Sequence, residues 1–492
     1  MNLSFSFAKD NNQTVSVDNH YLHSPYSPVK EAQRFVSLLA EGECDLIILI
    51  EPGLSYTQAY LKEKYPNAKI GIIRLIKDLN TYNSDWDFVI DYQDTKLLEN
   101  YLLSNFTEDQ LLCSQLLDWT PSKNIFQTES LDIWQTYKNV LEHCRTILVT
   151  RQYFEKKWII NTCNCIKHLS NEYSIIKKTS LPILIVSSGP SLSKVINQIP
   201  QFRDNCFIIC LSSAIKVLLT HNIEPDLILT TDGGYYAGQH LKALNNKDKL
   251  FLAAPCEAFI QKSLLEKLKI IPCSYADGIS KEMLGACNIK SINLERNGTV
   301  SGTALKLALQ LTDKNIYCLG MDLAPGRACQ HTEPNELEIN NSLKDFRLNN
   351  KESRQTKSRF NSESLAIYRN WFENLKGLYN KVFRVIENQE ELGEIQNIKY
   401  LDFINLMISN KSSSQKQNII QKAENNCNKT NRIKSLKAFI EKKSLTEEWK
   451  KQIFPVDYIS IKHAKNPEEK QLLLKNLEEK NQKLLNKIGK LL

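Results

Sequence analysis

The sequence contains no long apolar run. No stretch approaches the ~18 to 20 apolar residues that a helix needs to cross a bilayer. The first residues, MNLSFSFAKDNN, also lack the basic segment and apolar core of a signal peptide. These two absences argue against a membrane-inserted or secreted protein, so we expect a cytoplasmic one.

Glycine and proline are scarce. The chain of 492 residues has 16 Gly and 15 Pro, which excludes collagen-like and linker-like composition. Lys, Asn and Leu are plentiful instead, which favours a helix-rich globular protein. The length exceeds what one hydrophobic core usually organises, so about two to four domains are expected.

The cysteine pattern does not indicate a disulfide scaffold. The 13 cysteines are odd in number, and reduced core thiols in a cytosolic protein fit them better. Cys163 and Cys165 with His168 resemble a metal site only loosely, because a second pair at structural-zinc spacing is missing. No metal site is predicted. Cysteines inside apolar stretches include Cys206, Cys210 and Cys318.

The positive charge is modest and lies mainly towards the C-terminus. The net charge of +8 is concentrated in segments such as 434–443 and 470–490, where Glu alternates with Lys at helical spacing. This pattern is typical of a solvated helix face and does not favour a nucleic-acid partner.

Short apolar runs alternate with helical patterns from residue 181 to about 330. This order predicts βαβ crossovers and a mostly parallel, Rossmann-like sheet. The expected strands are Ile183–Val186, Cys206–Leu211, Leu227–Thr230, Leu250–Ala253, Ile270–Pro272 and Ile316–Leu319.

The N-terminal region repeats the α/β pattern in reduced form. Strands are expected at 45–50 and 69–75, but the turn between the first strand and its helix has one glycine, Gly53, where a dinucleotide site has three. A structural domain without a cofactor is the favoured interpretation. The predicted fold is α/β, with a Rossmann-like central domain, a smaller N-terminal α/β domain and a C-terminal helical domain. The predicted boundaries are 1–120, 121–180 (helical connector), 181–333, 334–374 (polar loop and helix start) and 375–492.

The sharpest motif follows the first central strand and reads Ser187, Ser188, Gly189, Pro190 and Ser191. Ligands of parallel sheets bind where strand carboxyl ends meet helix N-termini, and free backbone N–H groups there attract phosphate. We expect the following helix to be capped by Ser191 or Ser193. The motif therefore predicts an anion-binding turn.

The next two strands also end in small or acidic residues. Ser212 and Ser213 follow the second strand, and Asp232 and Gly233 follow the third. An acid at that position binds a ribose hydroxyl or a metal, or forms a local turn. All these residues are expected at one edge of the sheet, as part of a nucleotide site.

Two later segments complete the predicted site. Asn297, Gly298 and Thr299 precede a helix, and Asp322 follows the last central strand. His331 comes nine residues later in a polar loop and is the best general-base candidate among the eight His residues. Asp322 and Asp232 are the other candidate catalytic residues.

The order of these motifs resembles the motility-associated-factor (Maf) flagellin glycosyltransferases. The central segment is also similar to the domain family of archaeal 6-hydroxymethylpterin diphosphokinase (MptE-like), and more distantly to bacterial sialyltransferases. The residues that carry the resemblance are Gly189–Leu192, Pro225–Asp232, Asn297–Val300, Gly320–Ala324, His331 and Tyr368–Glu373.

This resemblance implies transfer of a nonulosonic acid, of the pseudaminic or legionaminic type, from a CMP-sugar to Ser or Thr of flagellin. It implies a donor phosphate near residues 188–191, a nucleotide side formed by residues 212–213, and His331 as the base that deprotonates the acceptor. No cofactor is obligatory, because helix N-termini neutralise the leaving phosphate. A role for a divalent metal is left open.

Two alternatives remain. A diphosphokinase would use clustered acids to hold Mg²⁺, whereas only Asp232 follows the third strand. A non-catalytic binding protein on a decayed enzyme fold is compatible with the single Gly53 and with Met321, which replaces a Gln frequent in the Maf motif. The glycines and hydroxyls at 187–191 argue against such decay.

Overall fold

The computed structural model describes most of the chain. The described residues are 2–40, 42, 44–275, 278–297, 299–323, 331–343, 345–348, 350, 363–409, 418–424, 428–464 and 466–492, without the side chains of 363–367.

The strands, in chain order, are β1 Leu3–Phe7, β2 Gln13–Val17, β3 His20–Tyr21, β4 Leu46–Ile50, β5 Lys69–Arg74, β6 Phe88–Asp91, β7 Ser114–Asp118, β8 Tyr173–Ile175, β9 Ile183–Val186, β10 Phe207–Leu211, β11 Leu227–Leu229, β12 Phe251–Pro255, β13 Lys269–Tyr275, β14 Ile292–Leu294, β15 Ile316–Leu319, β16 Val382–Val385, β17 Gln396–Ile398 and β18 Ile420–Lys422.

The α-helices are α1 Pro28–Ser37, α2 Gln58–Lys64, α3 Thr95–Asn105, α4 Glu108–Leu112, α5 Thr120–Ile125, α6 Gln127–His168, α7 Ile215–Thr220, α8 Tyr235–Gln239, α9 Lys262–Lys267, α10 Ile279–Ala286, α11 Val300–Leu311, α12 Glu336–Ser342, α13 Glu363–Glu373, α14 Tyr400–Ser409, α15 Lys429–Lys443, α16 Glu447–Ile453, α17 Pro455–Lys462 and α18 Pro467–Leu491. 3₁₀ helices span Lys77–Tyr82, Pro190–Lys194, Ile196–Asn205, Ser212–Ala214 and His240–Leu244.

The chain divides into two compact units. The first comprises residues 1–153 and 447–483, and the second comprises residues 154–446 and 484–492. Each unit therefore combines distant parts of the sequence. The predicted domains are continuous segments, so they do not correspond to these units.

The second unit is built on one large parallel sheet. Nine of the described strands form it, in the order β14-β13-β12-β11-β10-β9-β15-β16-β17. The chain moves outward from β9 to β14 and then returns to place β15 on the other side of β9. The direction of winding reverses between β9 and β15, so this is the topological switch point at which open α/β sheets bind ligands.

The sequence predicted six strands of this sheet, and the structure adds three: β14 at one edge, and β16 and β17 at the other. β16 and β17 come from 375–492, the region predicted to be helical, and they extend the sheet beside β15. β16 carries Arg384 in its centre, fully buried, where its Nε donates to Asn397 Oδ1 at 3.0 Å. The predicted boundary at residue 374 therefore cuts through the sheet. These two strands were missed because β16 contains a buried arginine and β17 is a polar edge strand, so neither shows a continuous apolar run.

The helix α11 covers the switch region. Ala304, Leu305, Leu307 and Ala308 on this helix are fully buried in the same core as the β9 and β10 side chains. The two alanines allow the close approach of helix to sheet that places the start of α11 above the strand carboxyl ends. This packing positions the α11 N-terminus at the candidate site.

In the first unit, β6-β5-β4-β7 form a four-stranded parallel sheet, and β1-β2-β3 form an antiparallel one. The carboxyl end of β4 is filled by the chain itself. Glu51 and Arg74 are buried there and form an ion pair of 2.7 Å, and Glu51 also accepts the N–H of Leu75 at 2.8 Å. His23 Nε2 accepts the N–H of Leu54 at 2.8 Å. A carboxylate and an imidazole thus occupy the crevice that binds phosphate in a nucleotide domain.

Candidate functional site

A cavity of about 590 Å³ lies at the carboxyl ends of the strands in the second unit. Its walls come from the loops after β9 to β12, after β14 and after β15, from the end of β13, from the start of α11, and from helices α6 and α13. It therefore spans the switch point between β9 and β15. Sites at such positions collect residues from many loops, and this one does the same.

A chain of hydrogen bonds occupies one end of the cavity. Ser188 Oγ lies 2.9 Å from Ser213 Oγ and 2.9 Å from Nδ1 of His331. The hydroxyl hydrogen of Ser188 is directed at Ser213, so we assign the hydrogen of the imidazole to Nδ1, which donates it to Ser188. Nε2 of His331 then carries the lone pair. This arrangement suits the histidine to accept a proton.

The loop that carries His331 is fixed to the neighbouring strand ends. The N–H of Thr332 donates to Ser188 O and its Oγ1 donates to Gly189 O, both at 2.6 Å. Asn335 Nδ2 donates to Ser213 O at 3.1 Å. The turns after β9 and β10 therefore determine where the imidazole lies.

Burial lowers the pKa of His331 below its usual 6.5, with a smaller opposing effect from Glu338. The neighbouring His240 is also buried, which lowers its pKa to about 4. Both imidazoles are therefore neutral at pH 7, which is the state that a general base requires.

Asp322 accepts hydrogen bonds from Ser191, in the turn after β9. Its Oδ1 and Oδ2 accept the N–H of Ser191, each at 3.2 Å, and Oδ2 accepts the Ser191 hydroxyl at 2.8 Å. Burial raises the pKa of Asp322, while these hydrogen bonds oppose the shift. A carboxylate therefore takes the place that we had expected a donor phosphate to occupy.

The turn itself differs from the prediction. Residues Pro190–Lys194 form a short 3₁₀ helix without a side-chain cap, and Ser191 lies inside it. The Gly189 N–H donates to Gly320 O at 2.8 Å. The main-chain donors at Gly189 and Ser191 thus have partners within the protein, so this turn is a support for the site and not an open phosphate cradle.

Two glycines allow the β9 and β15 loops to touch. A Cβ on Gly189 would lie 2.1 Å from Asp322 Oδ2 and 2.4 Å from Gly320 O. Gly320 has a φ of +66°, and a Cβ there would lie 2.2 Å from Ser187 O. Both positions therefore require glycine, for space in the first case and for space and backbone conformation in the second.

The start of α11 provides the better anion position. Thr299 caps this twelve-residue helix by accepting the N–H of Gly302 at 2.8 Å, and Thr299, Val300 and Ser301 line the cavity. Asn297 also lines it, with Oδ1 accepting from Thr303 Oγ1 at 3.0 Å. The N-terminus of a helix of this length carries a partial positive charge and unpaired N–H groups.

Asp232 forms a local turn. Its Oδ1 accepts the N–H of Gly234 at 2.7 Å, and its side chain is exposed at the cavity. Behind it, Asn161 of α6 donates its Nδ2 to Gly233 O at 3.1 Å and to Glu257 O at 2.9 Å. Asn161 is buried and was not predicted from the sequence. It fixes the loops after β11 and β12 relative to each other.

The opposite end of the cavity is aromatic and holds an arginine. The Arg296 guanidinium lies 4.1 Å from the Tyr275 ring centroid and 4.8 Å from that of Trp158. Its Nη2 donates to Glu257 Oε1 at 2.9 Å, and the same oxygen accepts from Ser280 Oγ. We call Trp158, Glu257, Tyr275 and Arg296 the arginine end.

The described lining of the cavity is acidic in balance. Asp232, Glu257 and Asp322 contribute carboxylates, whereas Arg296 is the one permanent cation among the described lining residues. The described lining therefore offers an anion oriented donors and no excess of positive charge. Such donors are effective because they lie at fixed positions in a partly dry cavity.

The structure brings most predicted site residues to the cavity wall. Ser191 and Ser212 are exceptions: Ser191 bonds to Asp322, and Ser212 is buried in the 3₁₀ turn after β10. Gly298 and residues 324–330 lie outside the described part. Predicted residues on the wall are Ser187, Ser188, Gly189, Pro190, Ser213, Asp232, Gly233, Asn297, Thr299, Asp322 and His331.

Sequence reasoning missed Phe154, Trp158, Glu257, Tyr275, Arg296 and Tyr368 as wall residues. Glu257 lies just after β12 and Tyr275 is the last residue of β13, so a search of the residues at the strand ends would have found them. Phe154 and Trp158 lie on α6, before the sheet begins, and only the folded chain brings them to it.

The cysteines show no metal arrangement in the described chain. Cys165 Sγ lies 2.9 Å from Cys256 Sγ, and His168 Nδ1 lies 3.0 Å from Glu266 Oε1. No group of three or more His, Cys, Asp or Glu side chains suited to a metal ion occurs among the described residues. The described cysteines form no disulfide, and they are buried.

The first unit has a larger hollow, of about 930 Å³, beside β3, α1 and α5. Volume alone would favour it. Its lining includes Trp119 and Thr120, which directly follow β7, but the switch point between β9 and β15, with the oriented His331 and Arg296, lies at the smaller cavity. We therefore take the smaller cavity as the candidate site.

The fold and the cavity define a Rossmann-like α/β protein with a ligand site at a topological switch point. Residues 156–327 match the family model described as 6-hydroxymethylpterin diphosphokinase MptE-like. The chain has the fold of a Maf glycosyltransferase from Magnetospirillum magneticum AMB-1, with a TM-score of 0.51 and 14% identity over 96% of this chain and 81% of that one.

The chain also has a sequence relative without a described function. An uncharacterized protein of Treponema pallidum (strain Nichols) is 28% identical over 314 residues, which are 63% of this chain and 69% of that protein. The resemblance derived from the motifs is thus confirmed for the central domain and for the fold.

In the described residues, no helix has the length and apolarity that a bilayer crossing requires.

Proposed function

We propose that this protein is a glycosyltransferase that moves a nonulosonic acid from a CMP-sugar to Ser or Thr hydroxyls of flagellin in the cytoplasm. The observation that carries the proposal is the cavity at the switch point, with a neutral, oriented His331 at one end and the start of α11 beside it. The fold shared with a Maf glycosyltransferase supports the choice of reaction class.

In the proposed arrangement the donor phosphate lies at the N-terminus of α11, near the Thr299 and Ser301 hydroxyls, because helix starts stabilise phosphate. The nucleoside lies against Phe154, whose ring stacks on that of Trp158 with the centroids 6.0 Å apart. The sugar then lies beside the helix start, between the arginine end and His331.

The chemistry follows from these positions. The acceptor hydroxyl oxygen attacks the anomeric carbon, the bond from that carbon to the phosphate oxygen breaks, and CMP leaves with the electron pair. Nε2 of His331 takes the acceptor proton. The α11 N-terminus stabilises the charge that develops on the leaving phosphate, which is electrostatic catalysis by fixed dipoles.

Intact-mass analysis of flagellin tests the proposal directly. Flagellin from cells with the gene is expected to be heavier, by whole sugar residues, than flagellin from cells without it. Complementation with His331→Ala is expected to leave the lighter mass, whereas complementation with His221→Gln restores the heavier one. Identical masses in the two strains would refute the flagellin acceptor.

Pyrophosphoryl transfer is the second candidate, because residues 156–327 match a diphosphokinase-like family model. That reaction transfers from ATP with Mg²⁺ held by acids. Titration calorimetry separates the two: the glycosyltransferase binds CMP without Mg²⁺, and the diphosphokinase binds ATP only with it. Binding of neither nucleotide would favour a non-catalytic protein on the same fold.

A further inference from the structure

The arginine end has features of a built subsite. The guanidinium plane of Arg296 is held by two rings and by Glu257, and Glu257 is itself held by Ser280. The Arg296 side chain remains 30% exposed. An arginine fixed in this way has lost most of its rotamer freedom before any ligand arrives, so little further entropy is lost when it binds one.

The charge balance at this end selects the ligand. Arg296 and Glu257 together have a formal charge of zero, and Glu257 is buried. Glu257 repels a phosphate dianion more strongly than a carboxylate monoanion, because the repulsion grows with the charge of the ligand. A single carboxylate needs only the planar fork of the guanidinium, which matches its geometry.

We propose that the arginine end binds a carboxylate of the donor sugar and so selects acidic sugars over neutral ones. This inference rests on the proposed function, because it assigns the second anionic group of a nucleotide-linked acid. The α11 start holds the phosphate and Arg296 holds the carboxylate, so the two anions of the donor occupy different walls. Arg296 is a specificity residue, and the base remains His331.

Calorimetric titration with CMP and with CMP-N-acetylneuraminic acid tests the subsite. CMP presents phosphate alone, whereas the sugar nucleotide presents phosphate and carboxylate. In Arg296→Lys the charge is kept and the fork is lost, so the affinity for CMP-N-acetylneuraminic acid is expected to fall about 10- to 100-fold. The affinity for CMP is expected to change less than about 3-fold.

Lys306→Gln is the matched control. Lys306 lies on α11, is paired with the exposed Glu295 and does not line the cavity. It should leave both affinities unchanged. Thermal unfolding of each variant checks that the fold is kept. Arg296→Gln serves as a second variant and should lose the same preference for the acidic ligand.

The outcomes separate the two proposals. Equal weakening of both ligands in Arg296→Lys, or unchanged affinity for both, would overturn the carboxylate subsite while leaving the nucleotide site intact. Wild-type protein that binds CMP as tightly as the sugar nucleotide would also overturn the subsite. Wild-type protein that binds neither would overturn the proposed function and the subsite together.

Discussion

Nδ1 of His331 lies 2.9 Å from Oγ of Ser188, which in turn bonds to Oγ of Ser213. Residues 188 and 331 are far apart in the sequence and meet because β9 and β15 are neighbours in the sheet. The bond fixes which nitrogen of the imidazole is free, so it links the sheet topology to the proton transfer that we propose.

The first prediction concerns pH. Because burial lowers the pKa of His331, the base is neutral above that pKa and becomes protonated only as the pH falls through it. The value of kcat/KM for transfer should therefore be constant near pH 7 and fall at a pH below 6.5. His331→Ala should lower kcat/KM by about 10²- to 10⁴-fold and remove the low-pH limb.

Ser188→Ala should lower kcat/KM by about 10-fold, because a histidine without its orienting partner populates the wrong tautomer. His221→Gln is the control: this histidine bonds to Val217 O on α7 and does not line the cavity. A His331→Ala protein with the wild-type pH profile would exclude this residue as the base and leave Asp232 or Asp322 to be tested.

The second prediction concerns the contact between the β9 and β15 loops. Gly189→Ala places a Cβ against Asp322 and Gly320, so it should destabilise the second unit by about 1 to 3 kcal/mol. Gly285→Ala, in α10, meets nothing within 4 Å and should stabilise by about 0.5 to 1 kcal/mol. Urea unfolding measures the stability change of both variants. Hydrogen exchange in peptides from 183–211 then shows the local effect of Gly189→Ala. A Gly189→Ala protein as stable as wild type would contradict the close approach.

The third prediction concerns Asn161. In Asn161→Asp the amide donor becomes a carboxylate that faces the Gly233 and Glu257 carbonyls, which removes this donor from both and puts a negative charge beside their oxygens. The free energy of unfolding should fall by about 1 to 3 kcal/mol, and the affinity for CMP should fall with it. Asn374→Asp, where the amide is on the exposed surface, should change neither quantity. Unchanged CMP affinity in Asn161→Asp would show that the two loops do not need this bridge.

The fourth prediction concerns the filled crevice of the first unit. Glu51→Gln removes one partner of a fully buried ion pair and should destabilise that unit by about 3 to 5 kcal/mol. Asp313→Asn breaks an exposed pair with Lys178 and should have no measurable effect. Exchange in peptides from 46–74 reports on the first unit specifically. Equal protection in Glu51→Gln and wild type would indicate that the pair is not structural.

The sequence predicted the strands of the second unit wherever they were continuous apolar runs, as in Ile183–Val186 and Ile316–Leu319, whose bounds match exactly the observed ones in this structure. It missed the edge strand Ile292–Leu294, the strand Val382–Val385, which contains Arg384, and the polar strand Gln396–Ile398. The apolar pattern identifies strands buried on both faces, whereas a buried charge and an edge strand carry no such signal.

The site was predictable where chemistry follows a strand end. His331, Asp322 and Ser188 were chosen on that basis, and the structure places them together. The cavity wall was not predictable where a side chain comes from a helix outside the sheet, as Trp158 does. Nor was it predictable that the Asp322 carboxylate would bind Ser191 where a phosphate had been expected. Such relations depend on packing between segments that are distant in sequence.

The position of β15 beside β9 has a consequence for the order of assembly. β10 to β14 can be added to β9 as the chain grows, but the switch point closes only after Ile316–Leu319 has been made and inserted beside β9. His331 reaches Ser188 only after that step. A chain interrupted before β15 could therefore still pair β9 to β14, but it would lack the candidate site. The candidate site forms only once β15 and the loop after it have been made.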